Sequence, residues 1–138
     1  MPVTLNPYLS FRGEARAALE HYRSVLGGAL DISTFGQMHA SRTPEDDELV
    51  MHGRLTSDEL TLMASDTPEG MDLTPGTNIS VSLSGDDEAT LTRYYEGLSE
   101  GGTISMPLQK AIWGDTFAMW TDRFGIGWLV NITGTAVG

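Results

Sequence analysis

The chain has no cysteine among its 138 residues. A disulfide, a thiolate nucleophile and a thiolate metal site are therefore excluded, and redox compartment leaves no trace. Basic residues are scarce. Eight Lys and Arg stand against nineteen Asp and Glu, for a formal net charge of −11. That balance argues against nucleic acid, whose phosphates call for a basic surface, and against anionic membrane. Long apolar runs are also missing, as is an amino-terminal basic segment followed by an apolar one. The expectation is a soluble, cytoplasmic protein. No Gly-rich turn joins a strand to a helix in the nucleotide-binding manner. The densest acidic run, Glu45-Asp46-Asp47-Glu48, lacks the Gly and ligand alternation of a calcium loop and reads as an exposed loop.

What is present begins with the stretch from Trp113 to Asn131, which holds all three tryptophans. Thr116 to Thr121 and Ile126 to Thr133 are rich in aromatic and β-favouring residues. Asp122-Arg123-Phe124-Gly125 between them has turn chemistry, since Asp bonds forward to its own backbone and Gly accepts positive φ. So apolar a hairpin must be covered on at least one face.

Taken in order, Val3 to Phe11 alternates, with Val3, Leu5, Leu9 and Phe11 on one face and Thr4, Asn6, Tyr8 and Ser10 on the other. Ala15 to Leu26 has helical spacing and ends at Gly27-Gly28. Ala29 to Gln37 reads as a strand, Met38 to Glu48 as a polar loop. Leu49 to Thr56 and Leu60 to Asp66 read as a hairpin around Ser57-Asp58-Glu59. After a linker at 67–76 with Pro68, Gly70, Pro75 and Gly76, the order repeats. Thr77 to Ser84 alternates, Gly85-Asp86-Asp87 supplies helix-start chemistry, Ala89 to Leu98 is helical and Thr103 to Gln109 extended. A shift of 72 positions carries Asn6 onto Asn78, Ser10 onto Ser82, Gly13 onto Gly85, Leu19 onto Leu91, Tyr22 onto Tyr94 and Leu26 onto Leu98, without a gap. The chain is therefore read as one domain of two βαβββ copies, at about 3–66 and 77–133. A helix covers one face of each sheet. The opposite faces, bearing Asn6, Tyr8, Asn78, Ser80 and Ser82, are free to surround a cavity.

Tandem βαβββ units are the arrangement of the vicinal oxygen chelate superfamily of glyoxalases, extradiol dioxygenases and bleomycin-resistance proteins. The runs Tyr8-Leu9-Ser10-Phe11, Ala18-Leu19-Glu20-His21-Tyr22, Val25-Leu26-Gly27-Gly28, Met51-His52-Gly53-Arg54-Leu55, Met106-Pro107-Leu108-Gln109, Trp113-Gly114-Asp115 and Thr121-Asp122-Arg123-Phe124-Gly125 resemble its PhnB-like branch. The resemblance implies an α+β fold: a cupped, partly open mixed sheet with a helix outside each half. It also implies a homodimer, with exposed sheet edges as contacts. The superfamily's metal enzymes take His, Glu or Gln ligands from the first and last strands of each unit. Laid on this chain, those positions fall near Asn6 or Pro7, near Met63, at Asn78 and near Leu129. Met and Leu offer nothing to a hard cation, so no resident metal is expected. The branch has carried a methyltransferase label, which no motif of this chain supports.

His52 and Arg54 share a strand face. His52 is either a general base or ligand anchor, or a hydrogen-bonded histidine on a half-exposed strand. Trp113 and Asp115 either grip a cationic or hydroxylated molecule, or fill the sheet end and bond the turn. Asn6 and Asn78 either orient a polar ligand or bond each other and water. Gln109 is a further cavity candidate, and Trp120, in parity with Ala118, is expected to face the cavity. Trp128, equivalent to Leu62, is assigned to the core. His21 and His39 read as surface, and Asp66 as a turn cap. The resulting expectation is a metal-free binder of a small organic molecule, its cleft lined by Asn6, His52, Asn78, Gln109, Trp113 and Asp115. The alternative is a glyoxalase-, lyase- or dioxygenase-type enzyme whose divalent ion has an altered ligand set, including His52 and Asp66.

Overall fold

The computed structural model describes residues 3–58 and 60–134; Glu59, in the expected first hairpin turn, lies outside them. The chain divides into two compact units, Met1–Thr74 and Pro75–Gly138. Unit 1 contains β1 (Tyr8–Phe11), α1 (Ala15–Leu26), β2 (Ala29–Thr34), β3 (Val50–Thr56) and β4 (Thr61–Asp66), with a single 3-10 turn at Pro44–Asp46. Unit 2 contains β5 (Val81–Gly85), α2 (Glu88–Ser99), β6 (Thr103–Lys110), β7 (Thr116–Thr121) and β8 (Gly127–Ile132). The strand orders are β1-β4-β3-β2 and β5-β8-β7-β6. In each sheet the first strand runs parallel to the last and the other pairs are antiparallel. This is the tandem βαβββ, α+β fold that the repeat implies.

Strand alternation and helical spacing together build each core. In unit 1, Leu9, Phe11, Leu55, Leu62 and Ala64 point to one side of the sheet, where Ala15, Ala18, Leu19, Tyr22 and Leu26 of α1 meet them. Gly53 in β3 lies directly beneath α1, and a Cβ there would run into Leu19 Cδ1. In unit 2 the helix-facing side holds Leu83, Ala118, Trp120, Trp128, Val130 and Ile132, against Leu91 and Leu98 of α2.

Trp128 is core, as expected from its equivalence to Leu62. Trp120 is core too, which corrects its assignment to the cavity. It is 1% exposed, stacks on Trp128 with ring centroids 6.4 Å apart and meets the edge of Tyr95. Its parity with buried Ala118 leaves it no other face. The two indoles differ in one respect. Trp128 Nε1 donates to Asp122 Oδ2 at 2.8 Å, whereas Trp120 Nε1 has no acceptor among the described residues.

The first strands are shorter than their alternation predicts. Val3 and Leu5 are exposed and outside any strand, as are Thr77 to Ser80. The neighbouring strand decides this. β4 begins at Thr61 and Tyr8 pairs with Met63, so the register carries residues before Asn6 past the start of β4. Pro7 also has no N–H to give. In unit 2, β8 begins at Gly127 while Val81 pairs with Trp128. The expected strand to Gln37 stops at Thr34, where Thr34 N donates to Gln37 Oε1 at 2.9 Å and Gln37 N donates to Thr34 Oγ1 at 3.1 Å. That reciprocal pair turns the chain. In the acidic run expected to be exposed throughout, Asp46 is buried within the 3-10 turn. Pro107 is tolerated in β6 because β6 is a sheet edge.

Candidate functional site

Alternation leaves each sheet one face away from its helix, and the two open faces carry different chemistry. In unit 1 the open face is polar. The ladder lines up Tyr8 with Met63, Met63 with Arg54 and Arg54 with Asp31. Ser10 pairs with Ser65 and Ser33 with His52 in the adjoining row. Tyr8 and His52 stack with ring centroids 5.9 Å apart and planes inclined by 28°. The Tyr8 hydroxyl lies 3.5 Å from His52 Nδ1, the long limit for a hydrogen bond. Arg54 and His52 are both exposed.

In unit 2 the open face is apolar and aromatic. Phe117 and Met119 of β7 lie opposite Asn131 and Leu129 of β8, with Gln109 and Met106 of β6 on the other flank. The β6–β7 loop folds Trp113 over Phe117 edge-to-face, at 5.6 Å and 72°. Met106, Gln109, Lys110, Ala111, Ile112, Trp113 and Phe117 line a half-open hollow of about 250 Å3. An apolar cavity of about 150 Å3 holds one benzene ring, so this space admits a single substituted ring. A larger, shallow depression on α2, lined by Glu88, Ala89, Thr92, Arg93 and Glu96, is charged helix surface.

The residues singled out from sequence separate into groups. Gln109 and Trp113 meet at the hollow. Asp115 stands beside it with its oxygens engaged: Oδ1 accepts from Gly134 N at 2.8 Å and Oδ2 from Asn131 Nδ2 at 3.0 Å. The Gly134 N–H is the main cause that holds its carboxyl below the usual range, followed by the Asn131 amide; burial opposes the shift, and the Trp113 side chain adds least. Both bonds run to β8 and the residues just after it rather than to the turn backbone, so Asp115 ties the β6–β7 loop to the end of β8 and orients Asn131 on the open face. His52 lies on the polar face of unit 1, far in sequence from that group. Asn6 and Asn78 sit in the irregular segments that lead into β1 and β5, and Asn6 Nδ2 donates to Thr4 Oγ1 at 3.0 Å.

An ion shared by His52 and Asp66 does not fit. Asp66 is buried on the helix side of β4, where Oδ1 accepts from Ala15 N and Oδ2 from Val50 N, each at 2.9 Å. His52 faces the opposite way. Asp66 does act as a cap, but of α1 rather than of a turn. At the positions where the superfamily places its ligands, Met63 and Leu129 have no donor for a hard cation. Among the described residues no three His, Asp or Glu converge on a common point, and no helix is long and apolar enough to cross a membrane.

Sequence reasoning missed Phe117, Met106, Lys110 and Asn131. Parity was a usable signal for Phe117, which alternates with buried Ala118. Lys110 and Asn131 required the loop path and the Asp115 bond.

The family model of the 3-demethylubiquinone-9 3-methyltransferases matches residues 4–131. Protein PA1353 from Pseudomonas aeruginosa is 37% identical, with a TM-score of 0.86, covering 97% of this chain and 100% of that one. A PhnB protein from Bacillus cereus is 21% identical, with a TM-score of 0.73 over 95% of this chain and 100% of that one. A glyoxylase/bleomycin resistance protein/dioxygenase domain from Frankia shares the fold, at 15% identity and a TM-score of 0.67, over 99% of this chain and 96% of that one.

Proposed function

Because the chain belongs to the 3-demethylubiquinone-9 3-methyltransferase family, the PhnB-like branch of the glyoxalase/bleomycin resistance/dioxygenase superfamily, we propose that it binds a small organic molecule on an open sheet face, without a resident divalent ion. One observation carries this reading. The hollow beside β6 and β7 sets an edge-to-face aromatic pair, Trp113 on Phe117, beside Gln109 of the same open face, with Lys110 at its margin. An apolar body with a few convergent polar groups is what a small-molecule site requires. The lining is mainly apolar, which favours a ligand with an aromatic or aliphatic body. Methyl transfer finds no support here: neither four-stranded sheet is a doubly wound parallel sheet with a Gly-rich phosphate turn.

Tryptophan emission tests the site, with p-nitrophenol as a single-ring probe. Saturable quenching is expected, and Trp113→Ala, an exposed position, should remove most of it while leaving the fold intact. Equal quenching in parent and variant, or none in the parent, overturns the proposal. Stoichiometric metal in protein purified without a His tag would instead favour the enzyme with an altered ligand set. We also propose a homodimer, supported by exposed apolar side chains at Val3, Leu5, Ile79 and Ile112. Sedimentation equilibrium decides it, and a monomer at micromolar concentration would end that reading.

A further inference from the structure

The polar open face of unit 1 is not used by the hollow described above, and its composition runs against the rest of the chain. The whole chain has a net charge of −11, yet this face gathers hydrogen-bond donors around one guanidinium. The row through Tyr8, Met63, Arg54 and Asp31 lies beside the row of Ser10, Ser65, His52 and Ser33. His52 falls next to Ser65 because its neighbour Gly53 pairs with Ala64. Strand alternation turns all of these away from α1, since Leu9, Gly53 and Ala64 between them are buried.

Three features give the face chemical meaning. The Tyr8 ring stacks on His52, with the hydroxyl at 3.5 Å from Nδ1, and so restrains the imidazole. The Arg54 guanidinium is exposed, and no hydrogen bond or ion pair holds it among the described residues. Asp31, the one carboxylate in the two rows, stands opposite Arg54 in the ladder without such a bond. A free guanidinium fork beside an imidazole and several hydroxyls presents donors in the pattern that an oxyanion accepts bidentately.

We propose that this face binds the oxyanion of a small molecule, a carboxylate or phosphoryl group, with Arg54 as its charged anchor. His52 and the hydroxyls of Ser10, Ser33 and Ser65 supply further donors, and Tyr8 walls one side. Asp31 weakens the site by repulsion. The site stands entirely in unit 1 and does not rest on the hollow in unit 2.

The test uses the full chain with histidine ring NMR signals as the readout. Inorganic phosphate is titrated at fixed pH, with ionic strength held constant by sodium chloride. The His52 signals are expected to move saturably in the low-millimolar range, while those of His21 and His39 do not follow. Arg54→Gln should weaken phosphate by about fivefold or more. Arg54→Lys, which keeps the charge but not the fork, should fall between. Asp31→Asn should tighten binding. Acetate in place of phosphate sorts the two sources: the tighter of the pair names the bound group. The proposal is overturned if His52 shifts saturably with neither anion, or if phosphate affinity is unchanged by Arg54→Gln and Arg54→Lys. All three tryptophans lie in unit 2, so failure here leaves the fluorescence test of the hollow independent, and the converse.

Discussion

The two units solve the same problem differently where their helices begin. α2 is capped from its own sequence: Asp87 Oδ1 accepts from Thr90 N at 3.1 Å and Oδ2 from the Thr90 hydroxyl at 2.8 Å. α1 has no side-chain cap of its own. Asp66, fifty-one positions beyond Ala15, reaches from the end of β4 to bond the first turn and the start of β3 together. In unit 2 the equivalent end of β8 is Ile132, which is buried hydrocarbon. A carboxylate near a helix N-terminus is favourable in both settings. In unit 1 it also ties the helix, β3 and β4 into one network, so local and tertiary structure stand or fall together.

A second difference lies in register. The 72-position shift sets Phe11 against Leu83, yet the backbone bond from Thr67 N to Phe11 O at 2.6 Å has its counterpart in Thr133 N to Gly85 O at 2.7 Å. The first strand has slid two residues along the last between the units. A two-residue slide preserves the side-chain period, so each residue keeps its face. Duplicated halves can thus drift in register while their cores stay closed, but a one-residue slide would turn each core inside out.

The comparison can be broken at several points. Asp66→Ala should have the largest effect, because it leaves two buried N–H groups without acceptors. A loss of about 3–5 kcal/mol is expected in urea unfolding followed by circular dichroism. A loss under about 1 kcal/mol would show that the network contributes little. Gly53→Ala should cost about 1–3 kcal/mol, because the new methyl meets Leu19. Ala118 occupies the matching place in unit 2 without conflict, so Ala118→Gly should be the milder change, and reversal of that order would refute the close approach of α1.

The smallest effects concern pH. The Thr90 hydroxyl, then the Thr90 backbone N–H, holds the Asp87 carboxyl below its usual value, and Asp115 is lowered by Gly134 and Asn131. With folded-state values depressed, the native chain binds fewer protons than the unfolded one. These bonds therefore stabilise above the ordinary carboxylate range and are lost as pH falls through the folded-state values. The melting temperature should decline below about pH 4, and Asp87→Asn with Asp115→Asn should make that decline shallower. An acid limb unchanged by the double variant would remove both groups from the account.

Much of the fold was legible because periodicity is a local property. The helix from Ala15, the strand Thr116–Thr121 and the turn closed by Asp122, whose side chain accepts from Phe124 N and Ile126 N, follow from spacing and turn chemistry alone. Strand ends were not legible, because Val3 and Leu5 have the alternation of a strand but no neighbour to pair with. At the candidate site, Gln109 and Trp113 were found as a strand end and an aromatic beside it. The role of Asp66 was not, since a carboxylate at a strand terminus looks the same whether it caps its own turn or a distant helix.

Sequence alone determined the duplication, the element order and which strand residues share a face, His52 with Arg54 among them, because each depends on spacing along one stretch of chain. Tertiary structure alone decided which carboxylates are consumed as acceptors, how far the first strands extend, that Trp120 joins the core, and that one open face is aromatic and hollowed while the other sets Arg54 opposite Asp31. Those outcomes depend on which strands lie side by side, and pairing between segments fifty residues apart is set by the packing of the whole unit rather than by any local run.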